Sequence, residues 1–262
     1  MFVLVALFAC SDNTLIVDGE PSQVGVDDTG DQAALDAEWD GARLEILSPL
    51  SASFLPMEEP AAFSAVVYAA DGTPTTFTDI TWSTDVDSSW ALLGASAEDD
   101  TLPVGTHAIT AEAVLPNGDR LAYTVGGVLV QSIYAGVYVG DLAVTASGEY
   151  EGQEISLGCS GALTLVVDAE GETAEGDAGC LLSLLGYDID TAYIFELEND
   201  LGEISGTASI DLQFYALPVD TEGELTEDGE LNGSFAADVA GFLAFAGEYQ
   251  ATRITRDLST AQ

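Results

Sequence analysis

From Arg43 onward the chain is written in short runs of alternating apolar and polar residues separated by turn residues, the pattern of strands half exposed to water. In HAITAEAVLPNGDRLAYTV, Ile109, Ala111, Ala113 and Leu115 share one face while Thr110 and Glu112 share the other. Pro116-Asn117-Gly118-Asp119 makes the turn, and Leu121, Tyr123 and Val125 begin the return strand. AFSAVVYAADGTP behaves likewise, with Phe63, Ala65 and Val67 on one face and Asp71-Gly72 closing the run; Trp82 is expected in the core of a central strand. Further along, ISGTASIDLQFYA places Ile204, Ala208, Ile210, Leu212 and Phe214 opposite Ser205, Thr207, Ser209, Asp211 and Gln213. GALTLVVDAEGE, GELTEDGELNGSF and FLAFAGEYQATRI add more strands, and glycines within them predict bends or close packing. YAGVYVG at 134–140 and FAGEYQA at 245–251 share an aromatic-Ala-Gly-x-Tyr pattern, which suits two neighbouring strands closing a barrel or sandwich.

These elements predict an all-β chain divided at 1–9, 10–42, 43–131, 132–256 and 257–262. The stretch 10–42 is acidic, poor in aromatics and broken by Gly and Pro, which reads as a flexible tether extended by its own charge. Within it DQAALDAEWD has the pattern of a short helix beginning near Asp31. LEILSP, AFSAVVYAADG, ITWSTDVDSSWALLGAS and LPVGTHAITAEAVLPNGD together resemble the bacterial Ig-like and PKD-like modules, over about residues 43–131. That resemblance implies a β-sandwich spacer or adhesive unit without catalytic residues, and gives His107 a structural role. The region 132–256 is expected to form a second antiparallel β domain, a barrel or a sandwich.

The run from Phe2 to Ala9 is too short for a spanning helix, which needs about 20 apolar residues, but suits the apolar region of an export signal. Leu7-Phe8-Ala9-Cys10 resembles the lipobox of bacterial lipoproteins. The resemblance implies cleavage after Ala9, a diacylglycerol thioether on Cys10 and a membrane anchored through that lipid. With Ser11 rather than an acidic residue after it, the resemblance leans toward the outer membrane of a cell envelope. It also resolves the cysteine count: of three cysteines, Cys10 carries lipid and Cys159 and Cys180 remain as a disulfide pair, which requires an oxidising compartment.

Charge excludes whole classes of partner. Forty-six Asp and Glu face four arginines, a net charge of -42 that repels nucleic acid at long range. The aspartates of VDDTGD have the density of a calcium loop but not its D-x-D-x-D-G spacing, so calcium is a weak expectation. One histidine, no G-x-S-x-G elbow and no phosphate loop leave no visible catalytic, metal or cofactor site. The expected role is therefore a non-catalytic envelope protein with a structural, adhesive or binding task toward an envelope protein or glycan. Two alternatives stand beside it: a carrier of a small apolar ligand in a lipocalin-like barrel, and a carboxylate-dependent glycan hydrolase.

Overall fold

A computed structural model describes residues 39–150, 152–184, 187–211, 216–239 and 243–261. The signal, Cys10, the VDDTGD aspartates and most of the tether, including the DQAALDAE stretch, lie outside the described residues. The chain is all-β, and the described residues form sixteen strands and a short 3-10 helix at Leu258–Ala261.

The first eight strands make a sandwich. β1 (Arg43–Ser48), β3 (Ala61–Tyr68) and β6 (Ser96–Asp99) form one sheet in the order β1-β3-β6. β2 (Phe54–Pro56), β4 (Ile80–Thr84), β5 (Ala91–Leu93), β7 (Gly105–Val114) and β8 (Arg120–Gln131) form the other, in the order β2-β8-β7-β4-β5. The alternation read from the sequence is what joins them: Phe63, Ala65 and Val67 from one sheet and Trp82, Ile109, Ala111 and Ala113 from the other all bury into one core. Trp82 is fully buried, and its indole N–H donates to the Gly94 carbonyl at 2.8 Å, so the polar end of the largest core side chain is satisfied. The sandwich also claims Trp39, which is buried against Phe77 at 6.2 Å between ring centroids. Its packing thus begins a few residues before position 43, because an indole at the end of the acidic stretch loses too much by staying in water.

The remaining eight strands close into a barrel: β9 (Gly136–Tyr150), β10 (Gln153–Val167), β11 (Thr173–Leu184), β12 (Tyr187–Asp200), β13 (Glu203–Asp211), β14 (Ala216–Leu225), β15 (Glu230–Val239) and β16 (Leu243–Thr255). Each pairs antiparallel with its sequence neighbour, and β16 pairs back onto β9 from Leu243↔Gly148 to Thr255↔Val137. The two aromatic-Ala-Gly-x-Tyr segments thereby reach the two strands of the closure and meet at Gly140↔Ala251. Inward positions are mostly apolar, with Thr191 and Thr221 among them, and outward ones carry carboxylates such as Glu175, Asp177, Glu196, Glu198, Asp220 and Glu222. A lipid-facing barrel wears an apolar band outside and a polar lumen, and this wall has the opposite pattern.

Inward glycines let so small a barrel close. A Cβ at Gly140 would fall against the Gln250 carbonyl of β16, 2.5 Å from Ala251 Cα. At Gly233 and Gly247 the space is taken by the rings of their cross-strand partners Tyr249 and Phe235. These aromatic-glycine pairs cover exposed backbone while allowing the strands to bend.

The barrel wall is not equally continuous along its height. At the end bearing the turns near 168–172, 200–202 and 226–229, every neighbouring pair is in register. Toward the other end, β10 and β11 are paired only from Val167↔Ala174 to Leu163↔Ala178, and β14 and β15 only from Leu225↔Leu231 to Thr221↔Phe235. The flanking ladders run on, to Gln153↔Tyr150, Leu184↔Tyr187, Asp211↔Ala216 and Val239↔Leu243. Among the described residues the ladder is thus interrupted toward this end along two seams, β10–β11 and β14–β15, although β10 and β11 stay in contact beyond it, where a Cβ at Gly161 would strike the Gly179 carbonyl.

Candidate functional site

The Cys159–Cys180 disulfide crosses the first of these seams. It links β10 to β11 with 5.7 Å between Cα atoms, just beyond the last paired residues. Thr191 donates its hydroxyl to the Cys180 carbonyl at 2.7 Å, which ties the Cys180 side of the staple to β12.

The second seam carries no such staple, and a proline faces it beyond the last paired residues. Leu225 N–H donates to Gly202 on the β13 side, whereas Thr226 N–H donates to Glu230 on the β15 side. Backbone groups alternate sides along a strand, so the even residues of β14 face β15. Pro218 is one of them, and proline has no N–H to give. At the last paired position Thr221 turns its hydroxyl onto the Ser234 carbonyl at 2.9 Å and meets the Tyr249 hydroxyl at 3.1 Å. Above it, a recess of about 590 Å³ opens on the outer wall between Asp220, Glu222, Ser234 and Ala236. A larger, open depression of about 1280 Å³ lies alongside, lined by Glu203, Glu222, Glu224, Asn232, Glu248 and Gln250 among others. Neither lining includes an arginine or lysine.

The barrel interior is filled. Phe195 of β12 and Tyr249 of β16 lie four strands apart, on opposite walls of an eight-stranded barrel, yet their ring centroids are 5.2 Å apart. Tyr193 of β12 and Phe235 of β15, three strands apart, meet at 5.9 Å. Rings touching across the diameter leave no lumen at that level for an apolar ligand, which counts against the carrier reading. Burial pushes the phenols of Tyr138, Tyr193 and Tyr249 above the ordinary tyrosine range, with neighbouring hydroxyl or arginine donors opposing the shift.

Where the sandwich meets the barrel, two of the chain's four arginines converge on one stretch of linker. Arg256 donates to the Ile133 carbonyl at 3.0 Å and stacks its guanidinium 4.1 Å over the Phe54 ring of β2. Arg253 donates to the same carbonyl and to the Tyr138 hydroxyl, and its other nitrogen reaches the Glu227 carbonyl at 3.0 Å. From the sandwich side, Glu58 accepts from the Ser132 hydroxyl and from the Ile133 N–H at 3.1 Å. Burial, and then the like charge of Arg253, lower the Arg256 guanidinium from its usual range. The linker is thus clamped from both sides by charge-assisted hydrogen bonds, which are about twice as strong as neutral ones.

His107 is buried in the sandwich. Its Nε2 donates to the Pro103 carbonyl at 2.7 Å and its Nδ1 meets the Thr84 hydroxyl at 2.7 Å, so both ring nitrogens are engaged in fixing the strand. Among the described residues no three His, Cys, Asp or Glu side chains converge with metal-binding geometry. Sequence reasoning named the cysteines but missed Glu58, Arg253, Arg256, Pro218 and Thr221. The rarity of arginine and the proline within an alternating strand pattern were the signals available for them.

No family model matches the chain, and no curated protein matches it. Among solved structures, the ywiB protein from Bacillus subtilis aligns at a TM-score of 0.24 and 14% identity, over 45% of this chain and 94% of that one. A point mutant of the vaccine antigen Transferrin Binding Protein B from Haemophilus parasuis Hp5 aligns at a TM-score of 0.30 and 11% identity, over 74% of this chain and 51% of that one. Neither likeness is close enough to carry a conclusion about fold or role, and both are left as resemblances.

Proposed function

We propose that this is a non-catalytic, lipid-anchored protein of a bacterial cell envelope, in which the sandwich holds the barrel clear of the membrane and the barrel wall binds an envelope partner. The observation that carries the reading is the Cys159–Cys180 disulfide, which takes two of the three cysteines and leaves Cys10 within Leu7-Phe8-Ala9-Cys10. Disulfides persist in oxidising compartments, so the bridge supports export, and export gives the leftover thiol a chemical role. The sheet orders β1-β3-β6 and β2-β8-β7-β4-β5 support an Ig-like spacer, and the clamp on the linker supports a fixed rather than swinging attachment of the barrel. The acidic outer wall supports a partner that presents positive charge.

Fractionation of cells expressing the full chain and a Cys10→Ala variant tests the anchor. The wild-type chain is expected in the membrane pellet, resistant to high salt and released by detergent, while Cys10→Ala is expected in the soluble fraction. Identical partitioning of the two would overturn the lipid anchor.

A further inference from the structure

We infer that the turn between β12 and β13, with Tyr134 beneath it, forms a binding site for an aliphatic polyamine, a ligand that carries ammonium groups on a chain of methylenes. The inference goes beyond the envelope role proposed above and is independent of the lipid anchor. Three observations meet at this place.

The first is an open hydroxyl. Tyr134 is only 8% exposed, and both its backbone groups are engaged: its N–H donates to the Ser132 hydroxyl at 3.2 Å and its carbonyl accepts from the Tyr138 hydroxyl at 2.6 Å. Its phenol oxygen has no hydrogen-bond partner among the described residues, and it lies at the wall of the turn, 3.3 Å from where a Cβ on Gly202 would stand. Buried side chains nearly always satisfy their polar atoms, so a ring held this firmly with its hydroxyl left open points to a ligand. The open depression of about 1280 Å³ and a second recess of about 720 Å³, which reaches Glu58 of the sandwich, both include Tyr134 in their walls.

The second is charge of one sign on both sides of that ring. The larger depression carries Glu203, Glu224 and Glu227, the smaller Glu58, Glu170 and Glu172, and neither wall includes an arginine, lysine or histidine. Burial first, and then the fields of Glu227 and Glu58, raise the Tyr134 phenol from its ordinary value, so at neutral pH it is an uncharged acceptor in a negative field. An ammonium N–H suits that oxygen better than a metal ion does, since among the described residues no three carboxylates converge with metal-binding geometry. The third is apolar. Leu201 lines both recesses, is 80% exposed, and holds a φ of 53°, a left-handed value that leucine rarely adopts. Asn199 fixes the turn, donating to the Gly171 carbonyl at 2.6 Å and accepting from the Gly202 N–H at 2.9 Å. A leucine standing in water between two acidic recesses matches the methylenes between two ammonium groups, with the middle of the ligand on Leu201 and an N–H toward Tyr134.

Isothermal titration calorimetry of the full, oxidised chain with spermidine tests this at about 0.15 M salt, where a Debye length of about 8 Å screens diffuse attraction to a chain of net charge -42. One saturable site per chain is expected, and magnesium at the same concentration is expected not to displace spermidine from it. Tyr134→Phe keeps the ring and removes only the hydroxyl, so it is expected to weaken binding about tenfold with the melting temperature held. Glu227 is exposed, and Glu227→Gln is expected to weaken binding several-fold in a fold that does not depend on that side chain. Leu201→Gly relieves the left-handed backbone, and is expected to hold or raise the melting temperature while weakening binding. Glu175→Gln, on β11 and outside both recesses, is expected to bind as the wild type does. Binding that does not saturate, displacement by magnesium, unchanged affinity in well-folded Tyr134→Phe, or equal losses in Glu175→Gln and Glu227→Gln would show counterions gathered by the acidic surface alone and overturn the site. None of these outcomes involves Cys10, so a failure here is distinct from a failure of the lipid anchor.

Discussion

Two glycine-to-alanine changes in the same hairpin are expected to act with opposite sign. Gly140 of β9 faces Ala251 of β16 at the closure of the barrel, where an added methyl group would strike the Gln250 carbonyl and stand 2.5 Å from Ala251 Cα. Both are backbone atoms in a paired strand, so relief requires the two strands to part. Overpacking costs about 1–3 kcal/mol, and each ladder hydrogen bond lost adds about 1 kcal/mol. A destabilisation of about 3 kcal/mol follows, or about 6–12 °C in melting temperature for a domain of this size. Gly158 of β10 is exposed on the outer wall, and a Cβ there would meet only the Val144 carbonyl oxygen at 3.8 Å. Gly158→Ala is therefore expected to stabilise by about 0.5–1 kcal/mol through loss of unfolded-state freedom. The assay can separate the two domains, because Trp39, Trp82 and Trp90 all lie in the sandwich core while the barrel core holds Tyr138, Tyr193 and Tyr249. Near-UV tyrosine dichroism follows the barrel and tryptophan fluorescence the sandwich. A Gly140→Ala barrel melting within a degree or two of wild type would refute the claim that backbone contact at this glycine permits closure.

Replacing both Cys159 and Cys180 by alanine opens a loop of 21 residues' separation, with an expected loss of about 3 kcal/mol. Hydrogen exchange should accelerate in β10 and β11 beyond Leu163↔Ala178 more than at Val167↔Ala174, and uniform acceleration would contradict the seam. The phenols of Tyr138, Tyr193 and Tyr249 have raised folded-state values, so their contribution is full below the unfolded value of about 10 and is lost as pH rises through the folded values. Alkaline titration should therefore unfold the barrel cooperatively as tyrosinate absorbance appears, and gradual ionisation of a still-folded barrel would be the contrary result. Arg256→Ala removes the stack on Phe54 and a hydrogen bond to Ile133, at an expected cost of about 2 kcal/mol, and should let the sandwich and barrel tumble separately in NMR relaxation. Unchanged common tumbling would show that the clamp is dispensable.

The alternation of Phe63, Ala65 and Val67, of Ile109, Ala111 and Ala113, and of Ile204, Ala208 and Ile210 announces strands and their buried faces, because one buried face imposes a period of two. Barrel closure is less legible, since it depends on which distant strands meet, and only the repeat shared by Tyr134–Gly140 and Phe245–Ala251 hinted at β16 returning to β9. The filled interior could not be read at all: Phe195 and Tyr249 are separated by four strands, and no local pattern states that their rings touch. The seams were hidden for another reason. Pro218 sits in an ordinary alternating run, and which neighbour its missing N–H faces is a matter of register rather than composition. The linker clamp likewise draws Glu58, Ile133 and Arg256 together from well-separated parts of the chain.

Intact mass of the protein purified from membranes, before and after reduction, tests the central claim most directly. The account predicts a chain beginning at Cys10 with added diacylglycerol and acyl mass, gaining about two mass units when the Cys159–Cys180 bridge is reduced. A chain beginning at Met1 without lipid, and with three free thiols, would contradict both the anchor and the exported setting that the proposed binding role requires.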